Sequence, residues 1–411
     1  MDDWIIDIIG KARPLAGMGL CDHCLGRMFG KVGTGMTNDD RGAAIRRALE
    51  EEGCAAAAPE MCPLCENVFD MMPRFAEAVA DAVNGVESDN FLVGCRVEPS
   101  VVSREKDIWE RFGLETPESI KTELNREIGK LALPLIHRAV EFKSPQVVAC
   151  IDTRFADVEL DIAPVFIAGR YNKLSREIPQ TIWPCRACKG RGCARCGDTG
   201  KMYQTSVQEI IGDIALEMTG GKEHFFHGMG REDIDACMLG DGRPFVLEIS
   251  SPRLRDIDLD ELERQANVSE LAQYRFLRFV PRDEVQRTKT ATPTKTYSVR
   301  VRAEGKVNKE RLDKVALSFK DTPIDQRTPQ RVEHRRADLV RKRRIFWVEV
   351  GACEDDTFEL TLETESGTYV KEFVSGDDGR SVPNFSEALG MQCRVEVLDV
   401  LAINDREPMR D

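Results

Sequence analysis

Eight cysteines of this chain fall into four C-x-x-C pairs, Cys21/Cys24, Cys62/Cys65, Cys185/Cys188 and Cys193/Cys196. A C-x-x-C turn offers two thiolates to one ion, and a closed structural zinc site needs four in a tetrahedron. The pairs must therefore meet two by two, which limits the folds open to the chain. Cys185, Cys188, Cys193 and Cys196 lie within twelve residues threaded by Gly190 and Gly192 and can close a compact ribbon on one ion. Cys21, Cys24, Cys62 and Cys65 can do so only if the chain between them, helical by its pattern over 39–52, folds back. A redox dithiol competes with zinc in the ribbon, and unpaired core thiols compete at the first set. The other cysteines, Cys54, Cys95, Cys150, Cys237, Cys353 and Cys393, are scattered and read as small core or surface residues.

At 411 residues the chain has room for two to four domains. No run of 18 apolar residues occurs, so no membrane partner is expected. The start, Met1-Asp2-Asp3-Trp4, lacks the basic-then-apolar order of a secretory signal, and a cytoplasmic location is expected. Net charge is -13, yet residues 281–345 hold 19 Lys and Arg against 9 Asp and Glu. Such segregation suggests a basic face for RNA or DNA on an acidic body, although a charge run can also be a solvated face. Gly169–Arg176 with Trp183 interleaves cations and aromatics, as phosphate-binding and base-stacking segments do, and as exposed hairpins also do.

The stretch Gly230–Phe245 concentrates carboxylates, arginines and glycines ahead of an apolar strand, Val246–Ile249. A loop that holds a polar ligand has this composition, and so does a solvated acidic turn. Around it the periodicities alternate. Helices are expected over 4–17, 39–52, 66–85, 103–112, 117–133, 203–218, 258–265 and 309–319. Strands are expected over 91–97, 146–151, 158–167, 276–280, 296–302, 357–363 and 393–401. Tyr369 and Lys371, two residues apart after Ser366-Gly367-Thr368, would share one face of a strand. His224 and His227 form an H-x-x-H that is a weak metal signal. No P-loop or other glycine-rich cofactor loop appears, so no redox or nucleotide cofactor is expected.

Taken together, the two-knuckle amino terminus, Gly169–Trp183, the cysteine ribbon, Gly230–Phe245, Gln326–Asp338 and Ser366–Pro383 resemble the archaeal-type tRNA pseudouridine synthases of the Pus-ten family, over essentially the whole chain. The resemblance implies an α+β protein with an N-terminal zinc-binding and THUMP-type accessory part. A C-terminal synthase domain with a central mixed, mainly antiparallel sheet would follow. The expected divisions are a zinc-knuckle region 1–84, a THUMP-type domain 85–183, the ribbon 184–200 and a catalytic domain 201–411. The implied activity is isomerisation of uridine to pseudouridine at positions 54 and 55 in the TΨC arm of tRNA, by a monomer holding one or two structural zinc ions. A catalytically inactive, zinc-stabilised tRNA-binding relative is the alternative.

Residue by residue, the resemblance makes Asp233 of the Gly230-Arg231-Glu232-Asp233 run the catalytic aspartate, with Asp235 a neighbour of no assigned role. Arg231 would bind substrate, and Tyr297 resembles the family's active-site tyrosine. Tyr369 would contact the flipped base, and Lys371 would pair with the aspartate to keep it ionised. Such an isomerase needs a carboxylate to attack the sugar or take a proton from it, and an aromatic surface for the extruded base. Cys237 stands where the family pattern has arginine, a departure that leaves Asp233 intact.

Overall fold

The computed structural model describes residues 3–54 and 56–405, with the side chain of Arg335 omitted. Met1 and Asp2 of the amino-terminal stretch considered above lie outside the described residues. The chain divides into two compact units, 1–163 with 251–255, and 164–250 with 256–411.

In the first unit the helices Asp3–Ala16, Asp22–Arg27, Asn38–Glu51 and Met72–Asn84 precede the strand Asn90–Arg96. Thr37 and Ser119 cap the helices Asn38–Glu51 and Ile120–Ile136 by accepting the N–H groups of Asp40 and Thr122. Four strands order as Ala139–Val140, Asn90–Arg96, Val147–Asp152 and Asp157–Ile162. The first three are parallel, and the last is antiparallel to its neighbour. Alternation along Asn90–Arg96 buries Phe91, Val93 and Cys95 in one apolar core with Ile120, Leu124 and Ile128 of the helix Ile120–Ile136.

The second unit is built on a ten-stranded sheet. All of its strand pairs are antiparallel except that between Cys237–Ser250 and Cys393–Asn404. The expected mixed, mainly antiparallel sheet in an α+β protein is borne out. Its pivotal strand is Cys237–Ser250, which pairs with Glu223–Gly228 and Val165–Lys173 along most of its length. At its start it also meets Cys393–Asn404, through Cys237 and Met238. Beyond Cys393–Asn404 come Thr294–Ala303, Thr357–Thr364, Val340–Glu354 and Thr322–Arg327. Leu247, Ile249, Val299, Val301, Leu360 and Phe373 belong to the main core of this unit, and Phe166, Ala168 and Val246 form a smaller cluster.

Several sequence expectations change here. The compact units divide at 163/164, and Val165–Lys173 is an interior strand of the larger sheet. The strand expected over 158–167 is two strands, Asp157–Ile162 and Val165–Lys173, broken at Ala163-Pro164 where proline offers no N–H to a ladder. The stretch Gly230–Phe245 is loop only as far as Ala236 and strand thereafter. At its glycines the strand passes close to neighbouring backbone. A Cβ on Gly240, whose φ is +56°, would lie 2.1 Å from the Leu401 carbonyl oxygen. Finally, Tyr369 and Lys371 are not on a strand. Tyr369 immediately precedes the helix Val370–Ser375, which contains Lys371.

Candidate active site

Residues 229–236 cross from the end of Glu223–Gly228 to the start of Cys237–Ser250. Trp183, Arg231, Glu232, Asp233, Ile234 and Asp235 line an open cleft there. Arg231 lies over the Trp183 ring, 5.9 Å from its centroid, and Trp183 packs edge-on against Tyr203. One wall of the cleft is thus an indole under a guanidinium, the kind of surface on which a base can stack.

Asp233 is half-exposed, and its Oδ2 lies 3.1 Å from the guanidinium of Arg331. Arg331 in turn donates through Nε to Oε1 of the buried Glu372, at 2.7 Å. Lys371, the residue before it on the same helix, bonds Oδ2 of Asp235 at 2.8 Å. Lys371 therefore does not pair with Asp233 as the resemblance implied. The helix Val370–Ser375 points Lys371 at Asp235, while Arg331 from the turn Gln330–Arg335 takes the place at Asp233. Burial raises the carboxyl of Asp235, and the bond and charge of Lys371 outweigh it, so that its pKa ends below the ordinary value.

Tyr297 is buried on the strand Thr294–Ala303. Its hydroxyl is pushed up to about 12, first by burial; the Arg243 charge works against this rise and the Asp233 charge adds to it. Gln326 sets the position of Tyr369: its amide donates to the Tyr369 carbonyl at 3.0 Å and accepts the Tyr369 N–H at 2.8 Å. The Tyr369 hydroxyl then accepts from Arg336 at 2.8 Å. The fold thereby gathers Asp233, Tyr297, Lys371 and Arg231 around the loop, with Tyr369 held one residue ahead of the Lys371 helix.

Sequence reasoning missed Arg331 as the partner of Asp233, although it sits within the Gln326–Asp338 stretch that was singled out. The basic segment 281–345 is less free than its composition suggests. Arg302 pairs with Asp356 and Glu396, Arg327 with Asp338, and Arg344 with Asp321. Arg331 and Arg336 are the members of that segment that reach the residues just described.

Cys237 is buried, its N–H bonded to Oδ1 of Asp399 at 3.0 Å. Arg176 meets the same Asp399 at 2.7 Å and donates to the carbonyl of Asp235 at 2.9 Å. A cation therefore does steady the loop near Cys237, supplied from residue 176.

Both cysteine sets converge as their spacing requires. The four sulfurs within each set lie within 4.8 Å of one another. Tetrahedral bonds of about 2.3 Å place sulfurs about 3.8 Å apart. The Sγ separations of Cys21–Cys65 (3.6 Å), Cys185–Cys193 (4.0 Å), Cys188–Cys196 (3.9 Å) and Cys193–Cys196 (3.7 Å) match that edge. They are far beyond a disulfide bond. Backbone N–H groups of Cys21, Cys193 and Gly200 point at sulfurs, as they do around thiolates. His224 and His227 instead bond Asp213 and Glu248 separately.

Residues 75–152 match the family described as Pus10 THUMP domain, archaeal, and residues 166–404 that described as Pus10, C-terminal. A relative from Pyrococcus furiosus, named tRNA pseudouridine synthase Pus10, is 40% identical over 97% of this chain and 98% of its own. Relatives of the same name from Methanothermobacter marburgensis (42% identical; 94% and 95% covered) and Methanothrix thermoacetophila (38%; 97% and 94%) agree. The class is that of the pseudouridine synthases, and the protein is an isomerase. Within that class the chain belongs to the Pus10 family, as its sequence resemblance implied.

Behind the loop, Lys295 is buried against Arg243, and a Cβ on Gly230 (φ +79°) would lie 3.1 Å from its Nζ. Burial first, and then the Arg243 charge, lower its ammonium to about 8. The unfolded chain therefore binds the extra proton between about pH 8 and its ordinary value of 10.5. Stability should rise with pH through that window, and the full cost of the buried charge is present below it. Lys295→Met should accordingly be more stable than wild type at pH 7, by on the order of 1–3 kcal/mol. Denaturant titrations from pH 7 to 10 should show that advantage shrinking as pH rises; a constant difference would contradict it.

Proposed function

We propose that this protein isomerises uridine to pseudouridine in tRNA, at positions 54 and 55 of the TΨC arm, with Asp233 as its catalytic carboxylate. The observation that carries this reading is the pairing of Asp233 with Arg331 at 3.1 Å in a cleft walled by Trp183 and Arg231. The guanidinium holds the carboxylate in place, and that carboxylate would attack the ribose or remove a proton beside the glycosidic carbon. Tyr297 sits close enough to feel that charge and would contact the extruded uracil. Arg231 over Trp183 would hold a neighbouring phosphate or base, and Tyr369, fixed by Gln326, would pack on the flipped nucleotide. Lys371 acts through Asp235, bracing the far side of the loop rather than the reacting carboxylate. The protein acts as a monomer in the cytoplasm.

The THUMP-matching segment would grip the tRNA while the synthase unit carries out the isomerisation. Each cysteine set would hold one structural zinc: Cys21, Cys24, Cys62 and Cys65 in the first unit, and Cys185, Cys188, Cys193 and Cys196 beside the cleft. Zinc there supplies cross-linking of the chain and takes no part in the isomerisation.

Tritium release from a tRNA transcript carrying 5-labelled uridine tests the activity. Wild type should release label, and Asp233→Ala should lower the rate by on the order of a thousandfold or more. No release from wild type that still binds the transcript would instead favour the inactive tRNA-binding protein. Metal quantification on purified protein should give two zinc ions per chain, falling to one in Cys185→Ser/Cys188→Ser. One or none in wild type would rule out the second site.

A further inference from the structure

The loop carrying Asp233 is held less by its own residues than by a buried polar network behind it. Along residues 231–233 the side chains alternate. Arg231 turns out over Trp183 and Asp233 turns out to Arg331, while Glu232 between them turns inward. The Glu232 carboxylate meets Nε of Arg243 at 2.9 Å, both side chains being 1% exposed. The hydroxyl of Tyr171 lies 3.0 and 2.9 Å from its two oxygens.

Each partner is itself tied to the loop. Arg243 donates its other end to the Met229 carbonyl at 2.8 Å. Gln180 bridges the Tyr171 hydroxyl (2.7 Å) and the Gly230 carbonyl (3.0 Å). The buried Lys173, two residues beyond Tyr171 on its strand, donates to the carbonyls of Asp233 (3.3 Å) and Ile234 (2.6 Å). Carbonyls on both sides of Glu232 are thus pinned to rigid strands, and Glu232 is the side chain by which the loop itself grips the sheet.

We propose that Glu232 is a positioning residue for the isomerisation, its buried carboxylate on Tyr171 and Arg243 fixing the direction in which Asp233 leaves the loop. This rests on the reading of Asp233 as the catalytic carboxylate. Glu232 never reaches the substrate. If the carboxylate is replaced by an amide, Arg243 loses its counter-charge and Tyr171 its strongest acceptor. The loop can then pivot, and a displacement of about 1 Å at a reacting group can cost about a hundredfold in rate. Substrate affinity, set over the much larger RNA contact, should change little.

Steady-state kinetics on a tRNA transcript, with the full-length protein, separate these effects. Glu232→Gln should lower kcat by on the order of 10–100-fold with KM within about twofold of wild type. Tyr171→Phe, which removes one hydroxyl and keeps the ring packed, should lower kcat less. The double variant should be no slower than Glu232→Gln, because both act through one network. Wild-type kcat in a folded Glu232→Gln, or a KM that rises as much as kcat falls, would overturn the proposal. If Glu232→Gln fails to fold, Tyr171→Phe decides: unchanged kcat overturns the inference and a kcat-only loss supports it. Inactivity of wild type would instead refute the reading of the whole site, so the two failures are distinguishable.

Discussion

The strand Cys237–Ser250 is the constraint on which the larger unit depends. Its body is hydrogen-bonded on both sides, to Glu223–Gly228 and Val165–Lys173, and its first two residues pair with Cys393–Asn404. Among the described residues, the two wings of the ten-stranded sheet pair through it. Residues 229–236 are stretched across the end of that strand, so the candidate catalytic loop spans the seam between the wings. Asp233 can then be met from one wing by Lys173, at its carbonyl, and from the other by Arg331, at its carboxylate.

Apolar packing alone cannot hold such a seam, because the loop also presents carbonyls and charges. Arg243, Lys173, Lys295 and Glu232 are all buried there. Charges removed from water cost several kcal/mol each unless they are paired and hydrogen-bonded. Glu232 and Arg243 satisfy each other, and Lys173 is satisfied by three carbonyls, those of Ile178, Asp233 and Ile234. The net positive character of this buried set lies directly behind a loop whose outward group is a carboxylate.

How much of this was legible in the sequence depended on how local each signal was. The convergence of the cysteine sets was legible because their spacing calls for it, whereas Asp233 and Tyr297 were singled out only through the family pattern that short stretches carry. The helix Val370–Ser375 was not: six residues are too few for a 3.6-residue period to show against a two-residue alternation. The Arg331–Asp233 pair joins residues 98 positions apart, and nothing local to either distinguishes Arg331 from the arginines around it. Glu232 could not be told from the other carboxylates of its stretch, because its partners, Tyr171 and Arg243, come from different strands. The strand Cys237–Ser250 was hidden by Gly240 and Gly242, since glycines serve sharp turns and close backbone approach alike, and here they serve close approach.

The central claim is that Asp233, and not its neighbour Asp235, is the reacting carboxylate, although both are paired with a cation from the far wing. Mapping pseudouridine by position in a tRNA transcript treated with Asp233→Asn and with Asp235→Asn tests this most directly. The account predicts no pseudouridine from Asp233→Asn, and modification by Asp235→Asn at reduced rate. Pseudouridine formed by Asp233→Asn but not by Asp235→Asn would contradict it.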